Sequence, residues 1–256
     1  MINKEYILKS FSKEESFDAI KVYEKLKLAS EKDFTVFTSS FYPPNIWSFF
    51  VENYNSKILK VETSGFFSES ERRIISFNNH YDLQYPFIVL EIINKSKFVN
   101  LTHRDYLGAI LSLGIEREKL GDIKVHENRA FVPVIEEIGN YIYINLSNIG
   151  KASVEVKIVD NFEEVPESCF NEEVLIVSSL RIDSFVSKIA KISRGKSLQL
   201  IDSGMVFLNY SKVVNKNQEV QTDFRITIRG IGKFIVGDII GETKIGKQRV
   251  IIKKYT

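Results

Sequence analysis

Five cations fall between residues 181 and 196: Arg181, Lys188, Lys191, Arg194 and Lys196, with Lys212 following on an expected turn. Their chemistry is the capture of anions, and their spacing says how. Asp183 suits the N-cap of a helix in which Ile182, Phe185, Val186, Ile189 and Ile192 form the buried stripe. Ser184, Lys188 and Lys191 then share the wet face. Ser193 opens a second helix, which places Arg194 and Lys196 in its first turn. There the macrodipole disfavours cations by a few tenths to about 1 kcal/mol, so each is expected to contribute little to stability. A phosphate at the same point is held by free backbone N–H groups and by the cations together. The pattern therefore predicts a site for a phosphate-rich polyanion such as RNA. Arg104, exposed on another expected helix, is a further candidate contact.

Other chemistries are less well supplied. His103-Arg104-Asp105 has the letters of a kinase catalytic loop, but position 110 is Ile where the downstream Asn is required, and no glycine-rich phosphate loop is present. Thr102 and Asp105 read better as a helix cap. The three histidines, His80, His103 and His126, lack metal-ligand spacing, and Cys169 adds none, so no metal is expected. A single cysteine forms no intramolecular disulfide and reads as a thiol in a reducing cytosol. Glycines 230, 232, 237, 241 and 246 punctuate strands without forming a dinucleotide fingerprint, and no cofactor is expected. Arg181-Ile182-Asp183 superficially matches the Arg-Leu-Asp of a pseudouridine synthase.

The elements that must position these residues follow from periodicity. In residues 1–80, Ser12 and Glu15 form a capping box, with Phe17, Ala19, Ile20, Tyr23 and Leu28 as the apolar stripe. Phe34–Phe37 reads as a strand, Ile46–Val51 as a helix, and Ile58, Leu59 and Val61 as a strand closed by Gly65. Residues 81–165 run strand (Pro86–Ile92), helix (Tyr106, Ile110 and Leu113 on one face, ended by Gly114), a hairpin around Glu127-Asn128-Arg129, helix (Val134–Leu146) and strand (Val154, Val156, Ile158). That βαββαβ order is the ferredoxin-like arrangement used by RNA-recognition modules, although its central strands offer only Phe131 as a stacking ring. Residues 161–173, acidic and containing Pro166, read as a linker. Residues 174–256 form the third domain, with Met205–Leu208 and Phe224–Ile228 as strands and Lys244-Ile245-Gly246-Lys247 as a basic hairpin tip. The fold class expected is α+β and multi-domain.

Composition agrees with folded domains: 44% hydrophobic residues among 256 exclude a disordered chain. The net charge of +2 conceals a division. Residues 180–256 carry 15 Lys+Arg and 6 Asp+Glu, whereas residues 1–179 carry 20 and 27. A basic module on an acidic body points to a polyanion at one end. The N-terminus lacks the basic-then-apolar pattern of a signal peptide, and no apolar run approaches the ~18 residues that span a bilayer. A cytoplasmic monomer is expected.

Leu180-Arg181-Ile182-Asp183, Ser193-Arg194-Gly195-Lys196 and Ile201-Asp202-Ser203-Gly204-Met205-Val206-Phe207-Leu208-Asn209 resemble the RNA-binding domain of small-subunit ribosomal protein S-four, the alpha-L fold. The sequence departs from that pattern at Tyr210, where the family usually has glycine, and at Leu198, where alanine is common. Leu101–Ile110, Gly114–Ile123, Ile149–Val154 and Gly65–Arg73 are similar to the YlmH family, and the resemblance runs over nearly the whole chain. It implies an N-terminal domain (1–80), an RNA-recognition-like middle domain (81–165) and a C-terminal alpha-L domain (174–256). It further implies a bacterial cytoplasmic factor that binds ribosomal RNA on the large subunit, with tRNA a second candidate, in quality control of stalled nascent chains. An association with cell division is also implied. No catalysis is expected; the alternatives are an RNA-modifying enzyme of the pseudouridine synthase or methyltransferase type, or an interaction scaffold linked to cell division.

Overall fold

A computed structural model describes residues 3–160, 165–166 and 170–255. The expected thiol, Cys169, and most of the expected linker lie outside these residues. The chain divides into two compact units, 1–166 and 167–256.

The first unit opens with α1 (Lys4–Ser10), α2 (Lys13–Lys32), β1 (Val36–Phe37), α3 (Pro44–Tyr54), β2 (Val61–Ser64) and β3 (Ile74–Phe77). The strands make an antiparallel sheet in the order β1-β3-β2. The capping box that starts α2 is formed: Glu15 N–H donates to Ser12 Oγ at 3.3 Å, and Ser12 N–H donates to Glu15 Oε2 at 3.1 Å. The expected stripe is corrected. Ala19, Val22, Leu26 and Ala29 are buried in the core shared with α1 and the sheet, while Phe17 is 68% exposed. Ile58 is likewise exposed, and β2 starts only at Val61.

The unit continues with β4 (Phe87–Asn94), α4 (His103–Ser112), a 3-10 turn (Arg117–Lys119), β5 (Lys124–His126), β6 (Arg129–Ile135), α5 (Glu136–Asn145), β7 (Asn148–Ile149) and β8 (Ala152–Ile158). The sheet order is β5-β6-β4-β8-β7 with every neighbouring pair antiparallel. Leaving aside the short edge strand β7, this is the split βαβ topology. The residues from Val134 expected as helix are partly strand: β6 runs to Ile135, since Val132 and Val134 alternate onto the core face. Phe41, Ile74 and Ile135 form a small apolar joint with Phe37, Tyr85 and Phe87, so residues on both sides of position 80 share one core.

A polar joint accompanies it. The Asp122 carboxylate accepts from the backbone N–H groups of Glu71 and Arg72. Arg72 donates to Phe41 O (2.8 Å) and Leu120 O (3.3 Å), and Arg117 to Leu120 O (2.7 Å) and Gly121 O (3.1 Å). Burial raises the Asp122 pKa, and burial together with the Arg72 charge lowers Arg117 to about 10. The segments Gly65–Arg73 and Gly114–Ile123 therefore serve to lock the first unit together.

The second unit contains β9 (Phe170–Val177), α6 (Ile182–Ile189), α7 (Arg194–Asp202), β10 (Val206–Leu208), β11 (Ser211–Lys212), β12 (Arg225–Ile228), β13 (Gly232–Glu242) and β14 (Gln248–Tyr255). Its antiparallel sheet has the order β11-β10-β12-β13-β14-β9. Ile182, Phe185 and Val186 of α6 and Ile201 of α7 bury against Val206, Ile226, Phe234 and Val250. Because β9 starts at Phe170, residues 170–173 are strand and not linker. Eight pairs, Phe170↔Tyr255 through Val177↔Gln248, fix their register.

Candidate RNA-binding surface

The turn between α6 and α7 is built from three consecutive residues. Lys191 sits past the end of α6 with φ 54°, a left-handed conformation that glycine usually supplies. Its N–H donates to Lys188 O at 3.3 Å, and the next N–H, of Ile192, donates to Ser187 O at 3.0 Å. These two bonds form a Schellman end. Ile192 therefore follows the helix and does not extend its stripe, contrary to the periodicity of the sequence. Ser193 then caps α7, its Oγ accepting from Lys196 N–H at 3.3 Å. Space around the Gly195 Cα is open.

Asp183 holds the two helices together. Its side chain is fully buried, within the first turn of α6. It is not the expected N-cap, which is Arg181. The carboxylate accepts from Arg181 Nε and Nη2, both at 3.2 Å, and from Arg194 Nε at 2.8 Å. Ser197 Oγ lies 3.1 Å from Asp183 O, tying α7 to α6 from below. Ser184, expected on the wet face, is buried and lies 3.3 Å from Ser178 Oγ, because the first turn of α6 is enclosed on all sides.

The sequence-predicted cations thus separate into two kinds. Arg181 and Arg194 are engaged by Asp183, although Arg194 remains 62% exposed. Lys188, Lys191, Lys196 and Lys212 are at the surface, and among the described residues no carboxylate pairs with them. Lys212 lies over Gly204, where a Cβ would meet its Cε at 2.2 Å. Gly204 ends α7 with φ 73°, and Met205 N–H donates to Leu200 O at 3.0 Å. Lys212 therefore sits at the negative end of the α7 dipole.

Arg104 is exposed in the first turn of α4. The neighbouring Asp105 carboxylate accepts from the Thr102 hydroxyl and N–H, both at 2.7 Å, so the His103-Arg104-Asp105 run is a helix start. His103 titrates below its ordinary value, through burial first and then the charge of Arg117. Phe131 is corrected: it is 1% exposed and no base reaches it. On its side of the sheet, Lys124 pairs with Glu69 at 3.7 Å and lies 5.2 Å from the Phe67 ring, while Phe66 meets Phe87 at 6.5 Å. The segment around Phe66–Glu69 therefore occupies the face that RNA-recognition modules leave open. Among the described residues, no three His, Cys, Asp or Glu side chains converge as metal ligands, and no helix is long and apolar enough to cross a membrane.

Residues 81–163 match the family model described as "Putative RNA-binding domain in YlmH". "Ribosome-associated protein quality control protein P2" of Bacillus subtilis (strain 168) is 30% identical over 196 residues, which is 75% of this chain and 76% of that protein. The chain belongs to the YlmH family. A solved structure, "Cell division protein ylmH from Streptococcus pneumoniae", is 25% identical, covering 61% of this chain and 97% of its own, with a TM-score of 0.49. The matched range includes residues 114–123, which lie in the joint of the first unit.

Sequence reasoning missed three features of this surface. It assigned Asp183 to capping, although an acid set close to both Arg181 and Arg194 signals an ion triad. It also passed over Arg225 and Arg229, which lie 5.6 Å and 4.8 Å from the rings of Tyr210 and Phe207. Cross-strand pairing brings these arginines onto aromatic residues, and no local spacing announces it.

Proposed function

We propose that this chain is a non-catalytic RNA-binding factor that acts on the ribosome. Its α6–turn–α7 surface contacts ribosomal RNA of the large subunit, with tRNA a second candidate, in quality control of stalled nascent chains. The observation that carries this reading is the group of lysines at the surface, Lys188, Lys191 and Lys196, around the open start of α7. No nearby carboxylate neutralises them among the described residues, since Asp183 is already held by two arginines. The "ribosome-associated" name of the Bacillus subtilis relative supports the ribosomal setting.

The pseudouridine-synthase form of the RNA-modifying alternative needs Asp183 as a reacting group. A carboxylate with no exposed surface and three guanidinium hydrogen bonds is shielded from a substrate base. Residues 1–80, 81–165 and 174–256 act as three functional modules, the last of alpha-L type, in a cytoplasmic monomer that needs no cofactor. The test is sedimentation of bacterial lysate through a sucrose gradient at low salt, with and without stalled ribosomes. The protein migrates with large subunits under this reading. Recovery only at the top of the gradient in both conditions overturns it.

A further inference from the structure

Phe98 is 97% exposed, the highest value for any large apolar side chain among the described residues. It does not hang on a loose loop. Asn94 is buried, and its side-chain amide donates to Val99 O at 2.7 Å while its Oδ1 accepts from Ser96 N–H at 2.9 Å. Asn94 N–H also donates to Asn128 O at 2.8 Å, and Asn128 Nδ2 donates to Asn94 O at 3.3 Å. Lys95 N–H donates to Ser153 O at 3.0 Å. The loop is therefore tied to β8 and to the β5–β6 turn, with its ring turned outward.

Cations stand on both sides of the ring along the chain. Lys95 pairs with Glu155, but Lys97 is exposed and has no carboxylate partner among the described residues. Arg104 follows in the first turn of α4, exposed, while Asp105 is occupied by Thr102. An outward ring with flanking cations is the combination that holds single-stranded nucleic acid: the ring stacks on a base and the cations meet phosphates. The sheet face that would ordinarily do this is closed over Phe131. A stacking contact in residues 81–163 then comes from elsewhere, and Phe98, at 97%, is more exposed than the other outward rings of that range, Tyr81, Tyr141 and Tyr143.

We propose that the Lys95–Phe98 loop, with Lys97 and Arg104, is a second RNA contact that stacks one unpaired nucleotide on Phe98. This rests on the RNA-binding reading above, and the experiment separates the two. The full-length protein is titrated, by fluorescence anisotropy, with a blunt RNA hairpin and with the same hairpin carrying a single-stranded uridine tail of about 12 nucleotides, within the site sizes of single-strand binders. The wild type binds the tailed hairpin more tightly. Phe98→Ala removes roughly tenfold of the affinity for the tailed hairpin, within the range for one stacked base, and leaves the blunt hairpin unchanged. Phe98→Tyr restores tailed binding, and thermal unfolding of the alanine variant is unchanged because the ring is almost wholly in solvent. If Phe98→Ala binds both RNAs like the wild type, the inference is overturned. It is equally overturned if the variant loses only a protein partner in a crosslinking comparison. If the wild type binds neither RNA, the RNA-binding reading fails as well.

Discussion

Lys191 carries the clearest conflict between local preference and position. A non-glycine residue in the left-handed region costs about 1–2 kcal/mol, whereas glycine adds about 0.5–1 kcal/mol of unfolded-state entropy. Lys191→Gly should therefore stabilise the second unit by about 0.5–1 kcal/mol in urea unfolding while weakening RNA binding. A destabilised Lys191→Gly would show that the lysine is retained for folding. Arg194 behaves otherwise. Its presence at a helix N-terminus predicts a side chain that folding can lose cheaply, yet its Nε meets buried Asp183 at 2.8 Å. Arg194→Ala is expected to cost about 1 kcal/mol, since the residue is largely exposed and Arg181 still holds the acid. Asp183→Ala is expected to cost about 2 kcal/mol, because three hydrogen bonds go at once. Equal unfolding midpoints for the two variants and the wild type would contradict the triad. The cations themselves were legible in the sequence; their division into held arginines and open lysines was not, because the division depends on where Asp183 is buried. Tyr210 is similar: it keeps a positive φ, at 70°, with the Arg225 guanidinium 5.6 Å from its ring.

Helix starts marked by a serine or threonine cap are legible in the sequence because caps are local, whereas the start of α6, expected at Asp183, lies at Arg181. Ser12 with Glu15, Thr102 with Asp105, and Ser193 all stand where their spacing places them. Faces are less legible, since which stripe is buried depends on what packs against it: α2 turns alanines inward and leaves Phe17 out. The α4 cap gives a pH-dependent expectation. The Thr102 hydroxyl first, and its N–H second, hold the Asp105 pKa below its ordinary value. A carboxylate with a depressed folded pKa stabilises above its unfolded pKa of about 3.9, and that contribution is lost as pH falls through the folded value. Protection of the first-turn amides of α4 against hydrogen exchange should fall below about pH 4 relative to mid-helix amides. The Asp105→Ala variant should show the weakened pattern already at neutral pH. Identical pH profiles for variant and wild type would contradict this role for the cap.

At the scale of the molecule, the order of the elements and the charge division between acidic body and basic end were legible because both are properties of the chain as written. The covering of the middle sheet was not. Phe131 is available by spacing alone; residues some sixty positions upstream close its face, and no local window of sequence captures so distant a contact. If RNA is held at α6 and α7 by the open lysines, its affinity must be electrostatic. Removing one phosphate-binding cation should then shallow the log–log dependence of affinity on salt by roughly one unit or less, because fewer counterions are released. The decisive measurement is filter binding of large-subunit ribosomal RNA fragments between about 50 and 200 mM salt, the range over which such effects are large. It compares the wild type with the Lys188→Ala, Lys191→Ala, Lys196→Ala triple variant, with circular dichroism confirming the fold. The expected result is a folded variant with weaker binding and a slope shallower by about two to three units. A folded triple variant with wild-type affinity and slope would contradict the placement of the RNA site on α6 and α7.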